Sequence, residues 1–391
     1  MTKTYDLIIV GGGLIGLSAA YNAVSSYGGH PVIRGENVLV IEQFEFFNSR
    51  SSSGGSSRQF RYQYNEEYMA QMAIYSEYEW ERLQKYSKEE LISRVGSLWF
   101  GDSQLTTEGG IQPAIDTMDK LGIPYKLLNA KAIEEFYHFK NIPSHYIGFY
   151  QPDGGTINLV AALNTLFNVI KNKGVHLKEC HVVTSIQSEN QKVTVQTNKG
   201  EFYGKKLIIA AGPFVNELIS SLGATLDLVI WDMVSAYFQK KNLNIKYPTW
   251  FVIQKPNKEN DNLYYGFPEA SWDYPGYMRV APDYPFKIYD NPRERITPRM
   301  SDLIGTSKWV KNHMQNLNSE PEFISSCMIA LPKEEKLFYL DFLPNNSNIV
   351  VYTSGWAAKF APLLGKICVQ LALNGESTYD INPFRIDLKQ K

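Results

Sequence analysis

Hydrophobic positions fall into runs of two kinds along this chain. Continuous apolar runs, brief and rich in β-branched residues, stand at residues 7–10, 38–41, 207–211 and 349–352. Each is too short for a helix and apolar on both faces, the pattern of a strand buried in a parallel sheet. Helical patterns begin at residue 14 and cover 66–84, 159–173, 301–313 and 361–373, with shorter pieces near 119–124 and 130–136. Residues 231–239, 250–254, 263–267 and 277–280 instead alternate and are aromatic, as antiparallel strands are. Shorter strands are expected at 96–100, 175–178, 182–185 and 192–196, and a polar, glycine-rich loop at 25–37. Strand, glycine and helix recur at both chain ends around an antiparallel middle. That order predicts an α/β chain, α+β overall. Residues 1–95, 150–225 and 320–391 form a discontinuous parallel-sheet domain, and 96–149 with 226–319 form an inserted, mostly antiparallel sheet domain for substrate.

The first apolar run leads straight into GGGLIG. Gly11, Gly13 and Gly16 fit G-x-G-x-x-G at a strand-to-helix turn, which makes the first domain Rossmann-like. Gly11 makes the tight turn, Gly13 lets a pyrophosphate approach the backbone, and Gly16 allows close helix packing. The helix opening at Leu14 and Ile15 turns its free N–H groups and positive dipole end toward phosphates. The second strand ends in Glu42, an acid suited to ribose hydroxyls and repulsive to a 2′-phosphate. It lies further past Gly16 than the usual ~20 residues because the 25–37 loop intervenes. A solvated strand-end acid is the plainer alternative. Gly212 closes the run at 207–211 and offers another edge for a dinucleotide.

Composition removes several classes of function. The 391 residues, ample for two or three domains at about 150 each, carry a formal net charge of −1. Nothing in that balance favours nucleic acid or an anionic membrane. Cys180, Cys327 and Cys368 are scattered and odd in number, which fits a reducing compartment. The histidines show no ligand spacing, so no metal is expected. No apolar run approaches the ~20 residues of a membrane span. The first strand begins at once and leaves no room for a signal peptide. A soluble, cytoplasmic monomer without membrane or nucleic-acid partners is expected.

Residues 49–61, SRSSSGGSSRQFR, read as a flexible surface loop by composition. They also read as a backbone-rich segment that lies against a cofactor and delivers Arg58 and Arg61 inward. Spaced three apart, those arginines share a face where the segment is helical.

GGGLIG, SRSSSGGSSRQFR, YYGFP at 264–268, SSCM at 325–328 and SGWAAKF at 354–360 occur in the order found in one family. The chain resembles the monomeric sarcosine oxidases, flavin amine oxidases that include pipecolate and N-methyltryptophan oxidases. GSLWFGD at 96–102, FYQPDGGTIN at 149–158 and GWAAKFAPLLGKIC at 355–368 resemble the branch serving nikkomycin synthesis, which acts on piperideine-2-carboxylate on the way to picolinate. The resemblance implies FAD joined through a cysteine thioether to the flavin 8α carbon, at Cys327. By residue chemistry alone, Cys327 reads as a buried free thiol. Motif and resemblance together place the cofactor against Gly11, Gly13, Leu14, Ile15, Gly16, Glu42 and Gln43. Ser49, Ser53, Gly54, Ser57, Arg58, Val183, Ala211 and Gly212 join them, as do Cys327, Met328, Gly355 and Lys359.

Arg61 and Lys359 fall where this family holds the substrate carboxylate, and a fork of donors with a point charge suits a small acid. Arg58 is implied beside the flavin ring. Tyr265 is implied to face substrate, its alternative being a core tyrosine with a bonded hydroxyl. Trp356 stands where sarcosine-type enzymes have a histidine, and an indole there stacks on a flat unsaturated ring. Glu108 and Asp283 match active-site carboxylates of the picolinate-forming branch, where they stabilise a protonated imine or enamine or take its proton. Read bare, both are solvated turn acids. Gly54 stands in place of the family's loop histidine, and Arg279 in place of the lysine that promotes oxygen reduction.

The expected activity is oxidation of piperideine-2-carboxylate toward picolinate, with hydride passing to the flavin and O2 becoming H2O2. Oxidation of pipecolate, sarcosine or another N-alkyl amino acid is the alternative within this class. A nicotinamide-dependent reductase of cyclic imino acids and a noncatalytic nucleotide-binding module are the alternatives outside it.

Overall fold

The structure, a computed structural model, describes residues 3–25, 33–105, 109–333, 337–353 and 355–386. Thr4–Val10 lies between Val38–Ile41 and Gly200–Ile209, parallel to both. His176–Lys178 extends the sheet past Val38–Ile41, and Asn346–Tyr352 runs parallel to the end of Gly200–Ile209. The continuous apolar runs are explained by what covers each face. Leu7, Ile9, Val38, Val40, Ile208 and Val350 face the helices Leu14–Val24, Leu159–Asn172 and Ala361–Asn374. Ile8, Val10, Leu39, Ile41, Leu207 and Val351 face the hairpin Val183–Glu189 and Lys192–Thr197 and the helix Val215–Ile219. Each side chain so buried contributes about 1.5–3 kcal/mol.

The second layer is a nine-stranded sheet, antiparallel except where Ser97–Gly101 runs parallel to Thr249–Ile253. The expected aromatic strands appear there as Leu228–Gln239, Thr249–Ile253, Tyr264–Phe267 and Tyr277–Pro282. One boundary differs from expectation. Phe323–Pro332 lies within the 320–391 stretch read as part of the parallel-sheet domain, yet it pairs from end to end with Leu228–Gln239 in the second layer. Two serines, Ser325 and Ser326, interrupt its apolar residues and hid a strand that lines the cleft in part and the core in part. A second difference concerns the hydroxylic stretch. Ser57–Phe60 is a strand paired with Gly155–Asn158, so Arg58 and Arg61 are not arranged by helical spacing.

Glu67–Gln84 is the long aromatic-rich helix, and it packs on Ala361–Asn374. Glu79 joins the two by accepting from Lys366 Nζ at 2.8 Å while pairing with Arg82. Among the described residues, no helix is long and apolar enough to cross a membrane.

Gly16 shows how tightly the first turn is built. A Cβ there would stand 1.8 Å from the Gly11 carbonyl oxygen, a backbone atom that cannot step aside. Gly16→Ala is therefore expected to cost about 2 kcal/mol of stability by overpacking. A thermal unfolding midpoint equal to that of the native protein would contradict this.

Candidate active site

A cleft opens between the two sheets and runs from the glycine turn to the aromatic strands. At the end near the glycine turn, Gly11 has φ +114°, and its N–H donates to the Ile41 carbonyl at 2.8 Å. A Cβ on Gly11 would meet the Ala210 carbonyl oxygen at 2.3 Å, so only glycine makes this turn. Gly13 is extended and starts the helix at Leu14, whose N–H donates to Ser53 Oγ at 3.0 Å. The hydroxylic loop thus crosses the helix N-terminus. Glu42 is 7% exposed and divides its oxygens, Oε2 accepting from the Gly12 N–H at 2.7 Å and Oε1 from the Phe44 N–H at 2.9 Å. Burial raises its carboxyl pKa, and the N–H groups of Phe44, Gly12 and Gln43 pull it partly back. Ile15, Gln43, Val183, Ala211 and Gly212 complete this part of the wall.

The hydroxylic loop is held by its own arginine. Arg58 donates to the carbonyls of Ser57, Ser52 and Gly54 at 2.8, 2.7 and 2.6 Å. Ser52 Oγ reaches the Met328 carbonyl at 2.7 Å, tying the loop to the strand that bears Cys327. Gly54 and Arg58 face the cleft. Ser49, Ser57 and Gly16 are not on its wall. Ser49 backs Gly54, Ser57 donates to a buried aspartate, and Gly16 serves the glycine turn. Met328 also turns away, into a cluster with Phe214, Ile230 and Tyr289.

At the other end, two cations lie against one ring. The Arg61 guanidinium is 4.8 Å from the Tyr64 centroid and 4.6 Å from that of Trp99. Lys359 Nζ is 5.4 Å from the same Tyr64 ring. Arg61 Nε is buried without a hydrogen-bond partner among the described residues. The Lys359 backbone is fixed from behind, its carbonyl accepting from Ser76 Oγ and Trp80 Nε1 at 2.7 Å each.

Between these ends stand the remaining expected residues. Arg279 is 5% exposed, stacks 3.9 Å from the Phe267 ring centroid and donates to the Ser57 carbonyl at 2.7 Å. Its Nε too is buried and unpartnered among the described residues. Tyr265 stacks on Phe251 at 6.3 Å. Burial pushes its phenol pKa up, Asp283 and Cys327 add to the rise, and Arg279 and Arg58 oppose it. Asp283 is buried on the cleft wall, its N–H held by the Leu263 carbonyl at 2.8 Å. Trp356 meets Trp231 edge-on at 6.5 Å and shares a small apolar cluster with Cys327. Cys327 is a half-buried free thiol on the wall, as is the backbone at Gly355. Glu108 lies outside the described residues.

Several cleft residues were not anticipated. Phe251 and Phe267 sit on strands whose aromatic alternation reads equally as core. Tyr64 and Trp99, which flank Arg61 without lining the cleft, meet it only through the tertiary fold. Arg293 also lines the cleft, where it pairs with Glu217 at 2.6 Å and reaches from the antiparallel layer to the parallel one.

The residues present fit FAD. A glycine cradle opens onto a helix N-terminus, Glu42 is a held carboxylate of the kind suited to ribose hydroxyls, and the Nε atoms of Arg61 and Arg279 are buried donors without a partner among the described residues. Residues 6–371 match the FAD dependent oxidoreductase family. A Dictyostelium discoideum protein named as a bifunctional amine oxidase is 34% identical over 98% of this chain, which spans 37% of that protein's length. Human peroxisomal sarcosine oxidase is 28% identical, with 98% of this chain and 95% of that one covered. The structure also superposes on NikD, described as an unusual amino acid oxidase essential for nikkomycin biosynthesis, with TM-score 0.90, 33% identity and 98% of each chain covered. With a glycine turn, a held acid and a cationic aromatic cleft in one molecule, the chain belongs to the FAD dependent oxidoreductase family, as an amine oxidoreductase of the sarcosine oxidase and NikD type.

Proposed function

We propose that this chain oxidises a small carboxylate-bearing cyclic imine, with piperideine-2-carboxylate, taken toward picolinate, as preferred substrate. One observation carries the reading: Arg61 and Lys359, which converge on the Tyr64 ring, line a cleft that Tyr265, Phe251 and Trp356 also line. A flat acid suits that shape, with its carboxylate on the cations and its ring along aromatic faces. Bound FAD supplies the two-electron acceptor and passes those electrons to O2, giving H2O2.

The chain's own residues supply orientation and charge. Arg61 offers a planar fork and Lys359 a point charge, so the acid end is held in one direction. Holding it so fixes which C–H is presented for transfer, an entropic gain made at binding. Asp283, with Glu108, takes the ring N–H proton or stabilises the protonated imine or enamine. Trp356 and Tyr265 confine the ring and exclude water. With flavin bound, the Arg58 charge would favour electrons on it, and Arg279 would offer positive charge to oxygen. Cys327, a free thiol on the cleft wall, would hold the flavin as a thioether. Full conversion to picolinate takes two successive two-electron steps, each returning one H2O2.

A second reading, oxidation of sarcosine, pipecolate or another N-alkyl amino acid, is supported by the human sarcosine oxidase relative. Anaerobic titration separates the two. Flavin colour is expected to bleach at the lowest concentration with piperideine-2-carboxylate, compared beside pipecolate and sarcosine. Bleaching by sarcosine or pipecolate alone hands the activity to the second reading. No bleaching by any of them, together with NADH consumption, favours an imino acid reductase and defeats both.

A further inference from the structure

Behind the cleft wall lies a charged group that the reaction above does not use. Asp273 is 5% exposed and does not line the cleft. Its Oδ2 accepts from Ser57 Oγ at 2.7 Å, and its Oδ1 from the Tyr237 hydroxyl at 2.8 Å. Arg279 Nη1 stands 3.9 Å from Oδ2, close enough to feel the charge and too far for a hydrogen bond. Tyr237 and Arg279 sit directly opposite each other on neighbouring strands, so this arrangement is set by sheet register. Trp272 Nε1 holds Ser57 Oγ from another side at 3.2 Å.

Ser57 is the hub. Its carbonyl accepts from Arg58 Nη1 at 2.8 Å and from Arg279 Nη2 at 2.7 Å, while its hydroxyl is committed to Asp273. Two cleft guanidiniums therefore hang from one carbonyl, and the residue bearing it is pinned by one buried anion. Like charges brought this close repel unless a counter-charge stands near. Asp273 supplies that charge from the side away from the cleft. The Ser57 hydroxyl meanwhile occupies Oδ2 and keeps Arg279 from collapsing onto it.

The geometry points to Asp273 as a positioning residue that, acting through Ser57, sets where the positive charge of Arg279 and Arg58 lies along the cleft, and so sets the reduction potential of the flavin bound there. The inference rests on the flavin ring lying beside these guanidiniums, as proposed above. Two substitutions then act in opposite directions. Asp273→Asn keeps the shape and deletes the anion, leaving more net positive charge at the cleft. Ser57→Ala keeps the anion and frees Oδ2, so Arg279 closes onto it and its charge withdraws from the cleft.

The test is dye equilibration of the flavin-loaded protein, with sulfite affinity as a second readout, because sulfite adds to flavins held near positive charge. Asp273→Asn is expected to move the equilibrium about tenfold toward reduced flavin, ~30 mV for a two-electron couple, and to tighten sulfite binding. Ser57→Ala is expected to move both in the other direction, by about threefold or more. A purely structural role lowers the unfolding temperature of both variants without opposite shifts in potential. Shifts of the same sign, or shifts below about twofold in flavin-loaded variants, overturn the inference. If Asp273→Asn does not fold, Ser57→Ala decides alone: a lowered potential supports the inference, and an unchanged or raised one defeats it. A native protein that purifies without flavin defeats the reading beneath this one.

Discussion

Arg61→Ala is expected to lower the rate constant of flavin reduction divided by the substrate dissociation constant by about 100-fold. The magnitude follows from what the guanidinium offers. A hydrogen bond to a charged group contributes about 1.5–3 kcal/mol, and a carboxylate in the fork receives two. Loss of about 3 kcal/mol corresponds to about two decades in rate. Arg61→Lys retains the charge and loses the fork, and should fall about tenfold. Folding is a separable matter. Arg61 is held between the faces of Tyr64 and Trp99 with its Nε unpartnered among the described residues, so its removal strands no bonded group there. The alanine variant gives up two buried ring contacts and should lose about 2 kcal/mol of stability while still folding. Stopped-flow reduction unchanged from native would remove Arg61 from the substrate site.

Cys327→Ser is expected to abolish covalent flavin. Acid precipitation of the native protein should give a yellow pellet, and the serine variant a colourless one with its flavin in the supernatant. The three cysteines are not equivalent. Cys368 is fully buried in Ala361–Asn374, where burial pushes its thiol pKa up to about 12 and leaves it inert. Cys180 is not among the residues facing the cleft, whereas Cys327 is. It stands opposite Met233 on the longest ladder of the second sheet, a rigid place for a tether. A colourless native pellet, or a yellow one from the serine variant, would end the thioether assignment.

What could be read from the chain and what could not differ by the range of the interactions. The turn from Gly11 to Gly16 was legible because its demands are local: a positive φ at Gly11 and no room for a Cβ at Gly16. The buried strands were legible because apolar residues on both faces report two covering layers. Arg61 and Lys359 were named, but the ring that brings them together, Tyr64, was not, since contact between positions so distant in sequence leaves no periodic trace. The layer of Phe323–Pro332 is not legible for a similar reason: its partner is remote, and two serines interrupt its apolar run. Ser57, expected against the cofactor, lies behind the wall instead. Asp273 was not singled out at all, because an aspartate in a turn is the commonest of solvated residues and only burial distinguishes it.

The anchoring of Lys359 bears on how this enzyme could be redesigned. Its carbonyl hangs from Ser76 and Trp80 on Glu67–Gln84, while Arg61 follows directly on a strand of the small three-stranded sheet. The spacing of the two anchors is thus a property of how a helix seats on its neighbour, independent of the residues that touch the ligand. Trimming Trp356 or Phe251 would make room for a bulkier ring without moving the acid end. Accepting an acid group of a different span would require the helix itself to be reseated.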